Sequence, residues 1–238
     1  MGDDLEPVWP ERWPRGRLEQ RRAEIGTVAF ARAYRLACVP EEAVPIRPAW
    51  VRCWQPGDAL PSGAKAGGRS AYERVVLSVD PAVSQSSHAD CSALVVLGRT
   101  AAHEIHCLEA VARRVAAPEL LGLIDELDRR WQPEVVLFES NAAFAGVRDL
   151  LVRQAAFGPK VRPVVQTRDK MSRAQAFSVS VENGTFRLKG GRGGPVDAAQ
   201  QGLLDEMTTF PAAEHDDLLD AAMSGTAYLL DRPEPRVW

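Results

Sequence analysis

Short runs of apolar, β-branched residues alternate with amphipathic segments from about residue 75 to the end of the chain. Such runs are typical of buried strands, and apolar residues three or four positions apart indicate helices. The predicted strands are Val75–Asp80, Ser92–Leu97, Glu104–Arg113, Val135–Phe138, Val161–Val165 and Thr185–Leu188. The predicted helices are Pro118–Trp131, Ala142–Ala155, Lys170–Glu182, Val196–Met207 and Asp216–Leu230. This order predicts an α/β fold, a mixed sheet with helices on both faces.

The first 70 residues have a different character, because they are rich in Trp, Pro and Arg. One helix is predicted over Arg17–Ala37, and the Gly, Pro and Ser content of Gln55–Ser70 is typical of a loop or linker. This arm has too little apolar periodicity to fold alone. We therefore expect residues 1–70 to form an N-terminal arm that packs on a domain of residues 71–238.

The composition is that of an ordinary soluble globular protein, with 45% apolar residues and a net charge of −3. The four cysteines form no C-x-x-C pair, which disfavours a zinc knuckle. No apolar run approaches the roughly 18 residues of a membrane span. The N-terminus lacks the basic and apolar regions of a secretory signal. The expected localisation is cytoplasmic.

Three predicted elements carry carboxylates at their ends, and these could meet at one site. Asp80 ends the first strand, Glu139 follows the fourth, and Asp217 and Asp220 lie on one face of the last helix. Carboxylates are the ligands that Mg²⁺ or Mn²⁺ prefers, and two such ions would serve phosphodiester hydrolysis. Asp80 would bridge both ions, Glu139 would hold one, and Asp217 or Asp220 would complete the coordination of the second ion. We expect Asp216 to point elsewhere.

Each acidic position also has a simpler interpretation. Asp80 precedes a proline and could start a turn, whereas Asp90 could be an ordinary loop acid. Asp216 and Asp217 could interact with the dipole at the start of a helix. His215 could contact metal or phosphate, or could cap the helix. The hypothesis of a metal site therefore depends on all three elements converging.

A basic segment accompanies these acids. Residues 161–192 contain seven basic and two acidic residues, which suits a surface that follows a phosphate backbone, although a solvated face has the same composition. Lys170 and Arg173 would lie in the first turn of a helix, where backbone amides also favour anions. Arg168 and Arg192 are further candidates for DNA binding. Phosphate contacts would give little sequence specificity.

These residues resemble a known family, the nuclease domain of bacteriophage large terminase subunits. The resemblance is carried by the segments 79–82 (VDPA) with Asp90, 138–141 (FESN), 169–174 (DKMSRA), 182–186 (ENGTF) and 215–221 (HDDLLDA). Within the arm, residues 9–12 (WPER), Gly26 and residues 30–34 (FARAY) resemble the segment that joins the terminase motor to its nuclease.

The resemblance implies a ribonuclease H-like fold and a metal-dependent endonuclease that cuts concatemeric double-stranded viral DNA during genome packaging. By matching position, Asp80, Glu139 and Asp217 would be the catalytic metal-binding acids, with Asp90 and Asp220 auxiliary. The ATPase motor, the small terminase subunit and the portal would be partners.

One departure from the family pattern concerns the motor. A phosphate-binding G-x-x-x-x-G-K-[ST] motif is not found in the sequence, so we expect a nuclease without its motor. Two alternatives stay open. A Holliday-junction resolvase has a similar fold and a similar arrangement of acids, and a non-catalytic terminase remnant could serve as an assembly module in packaging.

Overall fold

Seven strands form one mixed sheet in a computed structural model of the chain, which describes residues 7–35, 45–56, 72–81, 91–139, 156–191 and 193–230. The strands are β1 Arg52–Trp54, β2 Arg74–Asp80, β3 Ser92–Arg99, β4 Ile105–Arg113, β5 Val135–Glu139, β6 Val161–Val164 and β7 Phe186–Lys189. Their order across the sheet is β1-β7-β4-β3-β2-β5-β6. Within this sheet β3 is antiparallel to both of its neighbours, and the other pairs are parallel. As a result, β2 and β5 end at the same edge.

Helices cover both faces of the sheet, as the sequence predicts. They are α1 Arg15–Ile25, α2 Thr27–Tyr34, α3 Ala117–Trp131, α4 Lys170–Glu182, α5 Gln201–Thr209 and α6 Asp217–Leu230. The apolar stripe of α3, with Leu120, Ile124 and Leu127, packs on one face. Helices α4, α5 and α6 pack on the other face and complete a second hydrophobic core. The predicted α/β class is confirmed.

The predicted helix Arg17–Ala37 is wrong, because the described part of this segment forms two helices, α1 and α2. Gly26 separates them with a φ of +79°, a conformation that favours glycine. A Cβ at Gly26 would also lie 2.8 Å from Val179 Cγ2. The carboxylate of Glu182 accepts a hydrogen bond of 2.9 Å from the backbone N–H of Thr27 at the start of α2. The break therefore lets both helices dock on the end of α4.

The strand β1 was not predicted, and it lies in the segment assigned to the arm. It pairs in parallel with β7 at the edge of the sheet. Trp54 is buried and its indole N–H donates a 3.0 Å hydrogen bond to the backbone oxygen of Cys107. Ile46 is also fully buried in the core. Part of the arm thus packs into the sheet, while the domain boundary near residue 70 stays a prediction.

Smaller differences affect the ends of elements. The predicted helix Val196–Met207 begins as a 3₁₀ turn, Ala198–Gln200, and continues as α5 to Thr209. The predicted strand Thr185–Leu188 is shifted by one residue. The predicted helix Ala142–Ala155 lies outside the described residues. Of the helices that the structure describes, none combines the length and apolar character needed to cross a membrane.

Candidate metal and nuclease site

The ends of β2 and β5 place two carboxylates side by side. Val79 is in register with Phe138, so Asp80 and Glu139 occupy the next positions of two hydrogen-bonded parallel strands. Side chains alternate along a strand, and Val76 lies in the core under α4, α5 and α6. Asp80 therefore points to the face that these three helices cover.

Close packing brings α6 over the same point. A Cβ added at Gly225 would lie 2.9 Å from Leu97 Cδ1 and 3.4 Å from Ser78 Cβ, so a side chain there would push the helix away from the sheet. This close approach sets the start of α6, with Asp217 and Asp220, above the end of β2. Asp220 is only 8% exposed.

A half-buried acid on α5 holds the start of α6. The carboxylate of Glu206 accepts a 2.9 Å hydrogen bond from the backbone N–H of Leu219, one of the amides that a helix leaves without an internal partner. Burial raises the pKa of Glu206 to about 7, and the charges of Asp217 and Asp216 add to the rise, whereas the hydrogen bond opposes it. The sequence analysis missed this residue, since no local pattern distinguishes it from other acids of amphipathic helices.

The electrostatics of Asp80 show that the acids interact. Burial raises the pKa of Asp80 to about 8, and repulsion by Glu139, Asp220 and Asp217 contributes, in that order. The charge of Lys170 opposes the rise. Four carboxylates from two strands and one helix are thus close enough in space to affect one ionisation.

Glu139 has a similar environment and an additional neighbour. Burial raises its pKa and the charge of Asp220 adds to the rise, while the charge of Arg173 and a hydrogen bond from the Gln166 amide lower it. Gln166 Nε2 also donates a 2.8 Å hydrogen bond to Ser224 Oγ on α6. Gln166, which the sequence analysis did not identify, therefore connects Glu139 to α6.

Two cations from α4 lie among the acids. Lys170 Nζ is 2.5 Å from an oxygen of Asp216 and 2.5 Å from an oxygen of Asp220. Arg173 Nη1 is 2.9 Å from the other oxygen of Asp220, in an ion pair that is not aligned as a hydrogen bond. The expectation that Asp216 points elsewhere is wrong, since it lies just before α6 and reaches the same lysine as Asp220.

The predicted DNA-binding residues differ in their surroundings. Lys170 and Arg173 face inward to carboxylates, whereas Arg168 is exposed. Arg168 and Arg173 both line an open cavity of about 500 Å³ between α4, α6 and the segment after β6. Arg192 and the auxiliary acid Asp90 lie outside the described residues.

The donor chemistry of this site fits a hard divalent cation. Excess carboxylates and the raised pKa of Asp80 mark a place where added positive charge would be favourable. Within the described ranges, however, no three His, Cys, Asp or Glu side chains are already arranged around a common metal position. Oxygens of Asp216 and Asp220 are instead paired with Lys170 and Arg173.

Comparisons with known proteins agree with this fold. A family model described as the terminase RNaseH-like domain matches residues 77–228. The large terminase of the thermophilic bacteriophage D6E superimposes with a TM-score of 0.62 at 11% identity, over 91% of this chain and 53% of that chain. The chain thus spans about half the length of that large terminase. No match was found among curated protein sequences.

Structures of the large terminase nuclease from the thermophilic phage G20c are also similar. The form with bound magnesium has a TM-score of 0.53 at 13% identity, over 80% of this chain and 98% of that chain. The form with bound zinc has a TM-score of 0.52 at 14% identity, over 75% and 94%. At these identities the likeness concerns the fold, and the predicted ribonuclease H-like architecture is confirmed.

Proposed function

Because this chain belongs to the terminase RNaseH-like domain family, we propose that it is a metal-dependent endonuclease. Its substrate would be double-stranded, concatemeric viral DNA that is cut during genome packaging. The single observation that carries this proposal is the convergence of carboxylates at one strand end, where Asp80 and Glu139 end adjacent strands and the charges of Glu139, Asp220 and Asp217 help to raise the pKa of Asp80. Such perturbed groups cluster at functional sites.

Asp80, Glu139 and Asp217 are the proposed ligands of two Mg²⁺ or Mn²⁺ ions. These ions would supply an activated water and stabilise the leaving oxygen of the phosphodiester. The chain's own residues prepare the site, because Gln166 orients Glu139 and Glu206 fixes the start of α6. Asp90 is proposed as an auxiliary ligand.

Positive charge beside the acids would position the DNA. Arg173 is mostly buried, and no described residue accepts a hydrogen bond from its Nε. Arg173 also lines the open cavity beside Arg168, from which a phosphate oxygen of the substrate would approach its guanidinium. Arg168, Lys170 and Arg192 are proposed as further backbone contacts, so cutting would depend little on sequence.

The proposed partners follow from the family to which the chain belongs. We propose that it acts with an ATPase motor, a small terminase subunit and a portal. These partners, and action in the cytoplasm of a host cell, are inferred from the family alone.

Plasmid digestion in Mn²⁺ tests the proposal. We expect the wild type to nick and linearise supercoiled plasmid, and Asp80→Asn, Glu139→Gln and Asp217→Asn to lose cutting while staying folded. Asp205→Asn is the matched control, because Asp205 is an exposed acid on α5. Loss of cutting in this control, or full activity in any of the three variants, would contradict the proposed site.

Two outcomes would favour the alternatives. Preferential cutting of four-way junctions over linear duplex would indicate a resolvase. Absence of both nicking and Mn²⁺-dependent thermal stabilisation would indicate a non-catalytic assembly module. The docking of α1, α2 and β1 on the domain gives the arm a structural role that does not separate these alternatives.

A further inference from the structure

The acids of α6 divide into two groups according to what they contact. Asp216 and Asp220 lie four residues apart and share Lys170, whereas the charge of Asp217 acts on Asp80 and Glu206. On the facing helix, Lys170 and Arg173 lie three residues apart on one side. Two acids and two cations thus connect α4 to α6 beside the proposed metal site.

Both oxygens of Asp220 are engaged in this connection. One lies 2.5 Å from Lys170 Nζ and the other 2.9 Å from Arg173 Nη1, and the residue is 8% exposed. A metal ion on the oxygen that faces Arg173 would break that ion pair and leave a mostly buried guanidinium poorly compensated, which is strongly unfavourable. A metal ion on the other oxygen would displace one of the two acids that hold Lys170. Asp220 is therefore poorly suited to binding a metal.

We infer that Asp220 is a positioning residue, which holds Lys170 and Arg173 beside the Asp80–Glu139 pair, and that it is not a metal ligand. This inference rests on the proposed nuclease function. It removes Asp220 from the ligand set predicted from the sequence and leaves Asp217 as the ligand from α6.

Lys170 and Arg173 lie where their charges act on the proposed metal ligands, so their positions matter for the site. The charge of Lys170 acts on Asp80 and Glu139, and that of Arg173 acts on Glu139. Lys170 has a long, flexible side chain that is costly to order in one conformation. Asp220 fixes both cations from one point, where they offset the repulsion between the ligands and face an incoming phosphate.

Mn²⁺ titration of the full chain without DNA separates the two roles. A ligand binds the ion directly, whereas a positioning residue acts through its cations. In the wild type, where Lys170 and Arg173 hold both oxygens of Asp220, Asp220→Asn should change the Mn²⁺ dissociation constant by less than about threefold, and Asp217→Asn, which removes the same charge, should weaken binding about tenfold or more. An equal loss for both substitutions would overturn the inference.

Thermal unfolding without metal is a second, independent test of the role of Asp220. Asp220→Asn should lower the melting temperature of the wild type, because it weakens two ion pairs. It should raise the melting temperature of a Lys170→Met/Arg173→Met background, because there it removes an uncompensated buried charge. The same sign in both backgrounds would contradict the inference, and Arg173→Met alone serves as the background if the double variant does not fold.

Cleavage kinetics distinguish positioning from general stability. At saturating Mn²⁺ and well below the melting temperature, Asp220→Asn should lower kcat about tenfold with an unchanged Mn²⁺ dissociation constant, and Asp220→Glu should restore part of it. An unchanged kcat would overturn the positioning role. If Asp217→Asn also leaves Mn²⁺ binding unchanged, the proposed metal site fails instead.

Discussion

The acidic side chains on the two faces of the sheet differ in how they are paired with cations. On the α3 face, Asp128 forms a 2.6 Å ion pair with Lys160. Glu109 forms an ion pair with Arg130 and accepts a hydrogen bond from the Trp131 indole N–H. On the other face, four described acids interact with the same two cations, Lys170 and Arg173. These acids are Asp80, Glu139, Asp216 and Asp220, and Asp217 and Glu206 add further negative charge beside them.

The acids of the α3 face therefore stabilise the fold through ion pairs, whereas the acids of the other face repel one another. An acid that is paired with its own cation adds a little stability, and its charge is already balanced. Acids that outnumber their cations in a buried place raise one another's pKa, and added positive charge relieves them. The four predictions below test this contrast between the faces.

The largest expected effect concerns cutting. Asp80→Asn should lower Mn²⁺-dependent plasmid cleavage by about 10³-fold or more, because it removes a charge that the proposed ions need. Asp128→Asn, which removes a partly buried acid on the α3 face, should leave kcat within about twofold at a temperature where the variant stays folded. Comparable losses of kcat in both variants would abolish the contrast.

The second effect is on stability without metal. The folded-state pKa of Asp80, about 8, lies above its unfolded value, so the folded state binds the proton more tightly. Stability should therefore fall as the pH rises from about 4 to about 8. In EDTA at pH 8, Asp80→Asn should raise the melting temperature by about 4 °C or more. A lower melting temperature than the wild type at pH 8 would contradict the repulsion between acids.

A third effect separates Glu206, the half-buried acid of α5, from the proposed ligands. Glu206 has a raised pKa of about 7, so its contribution to stability is lost as the pH rises from about 4.5 to 7. We compare the melting temperature of Glu206→Gln with that of the wild type, in EDTA. This difference should be about 2 °C more favourable to the variant at pH 8 than at pH 5. Gln201→Ala, an exposed change on α5 that removes no ionisable group, is the control and should shift the melting temperature equally at both pH values. A parallel pH profile for both variants would contradict the prediction.

The smallest effect is expected on the α3 face. Arg130 pairs with Glu109 and Glu126, but its side chain is 49% exposed. Arg130→Met should therefore change the free energy of unfolding by less than about 1 kcal/mol, as measured by urea denaturation. The change should be the same with and without Mn²⁺. A Mn²⁺-dependent difference would mean that the two faces are coupled.

The sequence predicted those parts of the fold that depend on local pattern. Apolar runs located β2 and β5 with Asp80 and Glu139 at their ends, and helical spacing located α4 with its bounds. Strand β1 escaped prediction because three residues in a Trp- and Pro-rich segment carry no periodicity, and its position depends on pairing with β7.

The sequence indicates which acids belong to the candidate site, but it does not indicate the residues that contact them. Acids at the ends of strands are visible in the sequence, whereas the roles of Glu206 and Gln166 depend on how closely α5, α6 and the segment after β6 pack. Likewise, the ion pair between Asp216 and Lys170 depends on the distance between two helices that are far apart in the sequence. Such distances follow from packing of the whole core, which no single segment encodes.

The most direct test of the central claim is an anomalous difference map from crystals of the chain soaked in Mn²⁺. The account predicts Mn²⁺ peaks at coordination distance, about 2.2 Å, from oxygens of Asp80, with Glu139 and Asp217 as co-ligands and Asp220 still paired with Lys170 and Arg173. A map with no anomalous peak near Asp80, in crystals that bind Mn²⁺ elsewhere, would contradict it.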